Sequence, residues 1–170
     1  MVGLLESVLT TRYGQPQTRR VGGLTERHWS AGPGQDSVLY YSTDWSCAPA
    51  SEFIGHRALY GESRGGSLVG NSLKVALACG PDVFGLSSIA ELNRRQEIGR
   101  AVALDPGVMF FMDAANVWFY GHKASELYVY DGETGELDCL GPLESAIVQL
   151  ISEWEVAVTA SKPKGQSDKT

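Results

Sequence analysis

Apolar and polar positions along the chain change rhythm several times. Leu4, Leu5, Val8 and Leu9 recur at helical spacing and Gly14 follows them, which predicts a short opening helix over residues 2–13. Residues 14–35 are rich in Gly, Pro, Gln and Arg and read as loop with at most one short strand. Residues 37–42 have the β-branched and aromatic character of a strand. Residues 44–51 read as turn, 52–60 as a further strand or an irregular segment, and 61–67 as a flexible glycine-rich loop. Asn71 or Ser72 would cap a helix stopped by Gly80-Pro81, and Ser87 or Ser88 a second helix running to about Glu97.

The last third is patterned more strongly. Residues 98–104, 108–113, 117–122, 126–130 and 137–140 read as short strands. Asp131-Gly-Glu-Thr-Gly135 supplies a hairpin in which Gly135 takes the positive φ of a bulged turn. Pro142 suits a first helical turn, and Leu143, Ala146, Ile147, Leu150, Ile151 and Trp154 then recur at steps of three and four. Strand alternation sets Trp118 and Tyr120 on one face of their strand, and Tyr128 and Tyr130 together on theirs. The expectation is that these four aromatics line one side of neighbouring strands. The elements predict an α+β fold: one domain over residues 1–160, a mostly antiparallel sheet of five or six strands flanked by helices, and an amphipathic C-terminal helix. Residues 161–170 read as a disordered tail.

Composition agrees with one globular domain: 170 residues, 43% hydrophobic and 20% charged. No apolar run approaches the ~20 residues of a membrane-spanning helix. The first residues lack the basic start and cleavage site of a signal peptide, so a cytoplasmic protein is expected. Cys47, Cys79 and Cys139 are far apart and odd in number, which fits reduced, buried thiols. The net charge is −6, and three lysines and one aspartate fall in the last ten residues, so the first 160 carry −8. Such a surface repels phosphate backbones, which argues against nucleic acid as a partner and suits a basic protein.

Candidate chemistry is sparse. His28, His56 and His122 are isolated from one another and from the cysteines, so no metal site is expected; no P-loop or dinucleotide fingerprint calls for a cofactor. Gly61-Glu-Ser-Arg-Gly65 matches the G-x-S-x-G nucleophile elbow, with Asp105 or Asp113 and then His122 in the chain order of an esterase triad. An elbow needs several buried parallel strands before it and donors for an oxyanion, and residues 1–60 offer one convincing strand. A serine hydrolase built on Ser63, His122 and Asp113 is therefore the alternative, and no enzyme is expected.

Several segments carry a family likeness. They are Asn71-Ser-Leu-Lys, Cys79-Gly-Pro-Asp-Val-Phe-Gly-Leu-Ser-Ser-Ile-Ala-Glu-Leu-Asn93, Ala101-Val-Ala-Leu-Asp105, Phe119-Tyr120, Tyr128-Val-Tyr-Asp131 and the closing helix from Leu143 to Trp154. In this order they resemble the SUKH superfamily over residues 71–158, with residues 1–66 as an elaboration. The resemblance implies a non-enzymatic α+β binding module. Many bacterial members are immunity proteins that neutralise a secreted polymorphic toxin, and eukaryotic relatives are interaction domains in signalling and cell-wall regulation. Inhibition needs only a surface that blocks a basic toxin site, which an acidic module with exposed aromatics supplies. The candidate contacts are Trp118, Tyr120, Tyr128 and Tyr130 with Asp113 and Asp131 at their strand ends; the ordinary alternative is half-buried strand aromatics and hairpin-flanking acids. A regulatory interaction domain without a toxin partner is the remaining alternative.

Overall fold

The computed structural model describes residues 2–42, 56–78, 86–94 and 108–160. Its centre is one antiparallel sheet of nine strands in simple sequence order. The strands are β1 (Gln17–Val21), β2 (Leu24–Trp29), β3 (Ser37–Ser42), β4 (Ser63–Leu68), β5 (Leu73–Val75), β6 (Val108–Asp113), β7 (Trp118–Lys123), β8 (Glu126–Asp131) and β9 (Leu137–Pro142). Among the described residues four helices accompany them: α1 (Leu4–Tyr13), α2 (His56–Tyr60), α3 (Ile89–Arg94) and α4 (Leu143–Ala160). The expected five or six strands are thus corrected to nine, in a predominantly β structure. Residues 2–42 and 108–160 contribute strands to the same sheet.

Three segments account for the difference. Residues 17–29 form a hairpin turned at Gly22-Gly23, not a loop. Every residue of β1 is exposed, so an edge strand wetted on both faces shows no apolar alternation to read. Residues 61–67, expected to be flexible, hold a strand buried between β3 and β5. Its glycines answer to space: a Cβ on Gly66 would lie 1.9 Å from the Val38 carbonyl oxygen. Residues 73–75, expected in a helix, form β5, with Leu73 and Val75 buried and Lys74 between them half-buried. Over so short an apolar run, period two and period 3.6 are indistinguishable. Residues 52–55, the proposed stop at Gly80-Pro81, the strand at 98–104 and the tail at 161–170 lie outside the described residues.

Register ties the sheet together. One row of partners runs through Thr18, Arg27, Leu39, Gly66, Val75, Phe111, Tyr120, Val129 and Asp138. Side chains of directly paired residues share a face. The adjacent row, through Val38, Ser67, Lys74, Met112, Phe119, Tyr130 and Leu137, faces the other way.

The face of the Leu39 row receives α1 and α4. The Trp29 indole donates to Thr10 at 3.2 Å and the Tyr41 hydroxyl to Glu6 at 2.6 Å, while Arg27 pairs with Glu6 and stacks over Tyr41. Helix α4 buries Ala146, Ile147, Leu150 and Ile151 as its spacing required, and it meets β8, β9 and α1. Arg12 grips both carboxylate oxygens of Glu155, which also takes the Tyr13 hydroxyl. Hydrophobic burial supplies the main driving force, at roughly 1.5–3 kcal/mol for each fully buried large side chain such as Leu5, Leu39, Phe111 or Ile147. No helix among the described residues is long and apolar enough to cross a membrane.

Candidate functional site

A cleft of about 280 Å³ lies between β7–β9 and α4. Trp118 and Tyr120 line it together with Val129, Leu140 and Leu150. Four carboxylates stand among these apolar groups: Asp131, Glu136, Asp138 and Glu153. No lysine or arginine is among the described residues that line it.

Register places the strand residues of the lining. Trp118 pairs with Asp131 at the mouth of the β7–β8 hairpin, and Tyr120, Val129 and Asp138 are successive members of the helix-facing row. Trp118 remains 43% exposed although its ring meets Trp154 of α4 edge-on, with centroids 6.2 Å apart. Tyr120 is the buried floor; its hydroxyl pKa is pushed up to about 12, first by burial and then by the Asp113 and Glu153 carboxylates, against a lowering hydrogen bond from Trp154. Asp131 accepts the backbone N–H groups of Glu133 at 2.8 Å and Thr134 at 3.2 Å. These bonds, that of Glu133 foremost, hold its carboxyl below the usual carboxylate range, against a smaller effect of burial. Asp131 is therefore an anion at neutral pH. Gly135 closes the turn with φ +78°.

The six expected contacts divide three ways. Trp118 and Asp131 stand at the cleft, with Tyr120 as its floor. Tyr128 and Tyr130 face the opposite side of the sheet, and the expected single aromatic face is corrected. The reason is parity: Trp118 pairs with Asp131 and Phe119 with Tyr130, so even-numbered residues of β7 share a face with odd-numbered residues of β8. Tyr130 is buried with its ring 6.3 Å from Phe119, and Tyr128 is half-buried with its hydroxyl 3.3 Å from Glu126. Asp113 is buried and turned inward on the backbone. Its oxygens accept the N–H groups of Ala115 at 3.0 Å and of Val117 and Trp118 at 2.7 Å each. It positions the strand that carries Trp118 and presents nothing to a partner.

The esterase groups do not meet. Ser63 opens β4 directly after α2, the reverse of a strand-to-helix elbow. Its hydroxyl is buried and, among the described residues, has no hydrogen-bond partner, and neither has Nε2 of the buried His122. Three strand spacings separate β4 from β7, roughly 14 Å. His122 pairs with Val108 at the far end of β6 from Asp113, roughly 15 Å along the strand. Burial beside Phe110, at 5.6 Å between ring centroids, lowers the His122 pKa. Among the described residues no group of three or more His, Cys, Asp and Glu side chains could hold a metal ion. Cys139 is exposed on β9, not buried as expected, because β9 is an edge strand; Cys47 and Cys79 lie outside the described residues.

Glu136, Asp138 and Glu153 were not legible as site residues. Glu136 and Asp138 are two apart and Glu153 lies three beyond Leu150, spacings that gain meaning only once β9 and α4 are known to converge. Compared with protein-family models, with curated proteins and with solved structures, the chain matches none.

Proposed function

We propose that the protein is a non-enzymatic protein-binding module of the cytoplasm whose cleft takes a basic segment of its partner. One observation carries this reading: a half-open indole, Trp118, stands among four carboxylates with no cation among the described residues that line the cleft. A guanidinium or ammonium group placed there gains the ring face of Trp118 and the carboxylates together. The partly desolvated setting strengthens both relative to open solvent.

The likeness of residues 71–158 to the SUKH superfamily supplies the partner class. A polymorphic toxin with a basic functional surface is neutralised when that surface is covered, and the bound module needs no catalytic group to do so. A host-cell regulatory partner with the same basic segment would use the same cleft.

Affinity capture with the tagged full chain tests the reading. The expected result is one stoichiometric partner retained by the wild type and lost from Trp118→Ala and from the Asp138→Asn Glu153→Gln variant. A partner held equally by all three contradicts it. So does ester hydrolysis abolished by Ser63→Ala, with no partner captured.

A further inference from the structure

The long rim of the cleft is the last strand of the sheet. Among the described residues β9 has β8 on one side and no strand on the other, and its residues 137–140 are all exposed. Leu137 and Leu140 are 37% and 40% exposed, which sets apolar surface beside free backbone. The Asp131 N–H donates to the Glu136 carbonyl at 2.9 Å and so marks a hydrogen-bonded pair. Antiparallel pairs alternate, so the N–H and C=O of Leu137 and Cys139 point away from β8.

Sheet edges are usually blunted by lysine, proline or a bulge that turns them away. Between Leu137 and Gly141 the edge carries no lysine, arginine or proline, and its bulge lies toward Leu127–Tyr128, beyond the outward groups of Leu137 and Cys139. The opposite edge, β1, is guarded by Arg19 and Arg20, both exposed. A basic strand is therefore repelled at β1 and attracted at β9, where Asp138 and Glu136 stand.

Building on the cleft reading, we propose that the partner's basic segment binds as an extended strand, adding to β9 as a tenth strand. Its side chains alternate between two environments. Every second residue enters the cleft toward Asp138, Glu153 and Trp118 and is Arg or Lys. The residues between lie on the opposite face, beside Leu137, and are apolar. Main-chain hydrogen bonds to Leu137 and Cys139 supply affinity, and the alternation supplies specificity.

The test uses the full chain and an acetylated, amidated Arg-Val-Arg-Val-Arg-Val peptide, with two analogues N-methylated at the arginines or at the valines. Residues of one parity send their N–H groups to one edge, so one analogue is expected to bind at least tenfold more weakly than the parent and the other to bind like the parent. The Asp138→Asn Glu153→Gln variant is expected to weaken all three. If both analogues bind like the parent while this variant still weakens them, strand addition is overturned and the cleft reading stands. If the parent does not bind, both are overturned. Self-association of the protein that Arg19→Glu Arg20→Glu abolishes and the peptide displaces would make β1 of a second copy the occupant, which also overturns the proposal.

Discussion

Asp113 accepts the backbone N–H of Trp118 at 2.7 Å, so a buried carboxylate at the end of β6 sets the position of the exposed indole at the start of β7. The same oxygen takes the Val117 N–H, and the other takes that of Ala115, which fastens the whole turn. Asp113→Ala removes the acceptor that three backbone donors share. The expected loss is about 3 kcal/mol of stability, measured by urea unfolding. Partner binding is expected to fall with it even under conditions where the variant remains folded, because Trp118 loses its anchor.

Gly66 lies in the middle of the row that joins Arg27 to Asp138. Any Cβ there meets the backbone of Val38, which no rotamer change relieves. Gly66→Ala should cost about 3 kcal/mol or more by separating β3 from β4. Gly23→Ala, in the open β1–β2 turn with nothing within 4 Å of its Cβ, is the control and should change stability by less than about 1 kcal/mol.

His122 gives stability a pH dependence of defined sign. Burial lowers its folded pKa below the ordinary 6.5, so the unfolded chain binds the proton more readily. The neutral ring's contribution is complete above pH 6.5 and is lost as pH falls from there toward the folded pKa. The limiting slope is about 1.4 kcal/mol per pH unit. His122→Phe removes the titrating group and keeps the contact with Phe110. Its urea midpoint should therefore fall less than that of wild type between pH 7 and pH 5.

Ser63 buries a hydroxyl that has no partner among the described residues, so Ser63→Ala removes an uncompensated polar group. The variant should be as stable as wild type or more stable by up to about 1 kcal/mol, and it should bind the partner unchanged. Loss of binding would mean that the hydroxyl serves a role its surroundings do not indicate.

How much of this was legible follows from where each residue sits. Helix α4 could be read because one stripe meets the sheet and the other meets water, as with α1, whose Leu5, Val8 and Leu9 are buried. The hairpins of β6 to β9 could be read because their turns carry the chemistry turns need, Asp131 and Gly135 above all. Ser88 capping Glu91 at 3.1 Å was legible for the same reason in α3. Strand β4 was hidden because glycines chosen for close strand approach look like glycines chosen for freedom. Strands β1 and β2 were hidden because their residues are exposed or half-buried with the exception of Trp29, so no alternation survives. Alternation gave the faces of β7 and β8 separately; only the odd sum of the register, Trp118 with Asp131, decided that Tyr128 and Tyr130 turn from the cleft.

The cleft is tested most directly at Trp118 itself. With 5-fluorotryptophan incorporated and the Trp118 resonance assigned through Trp118→Phe, ¹⁹F spectra are recorded before and after saturation with the captured partner. Contact of a partner cation with the indole is expected to move the Trp118 resonance and to leave that of the buried Trp29 in place. A saturated complex in which the Trp118 resonance does not move would contradict the assignment of this cleft as the binding site.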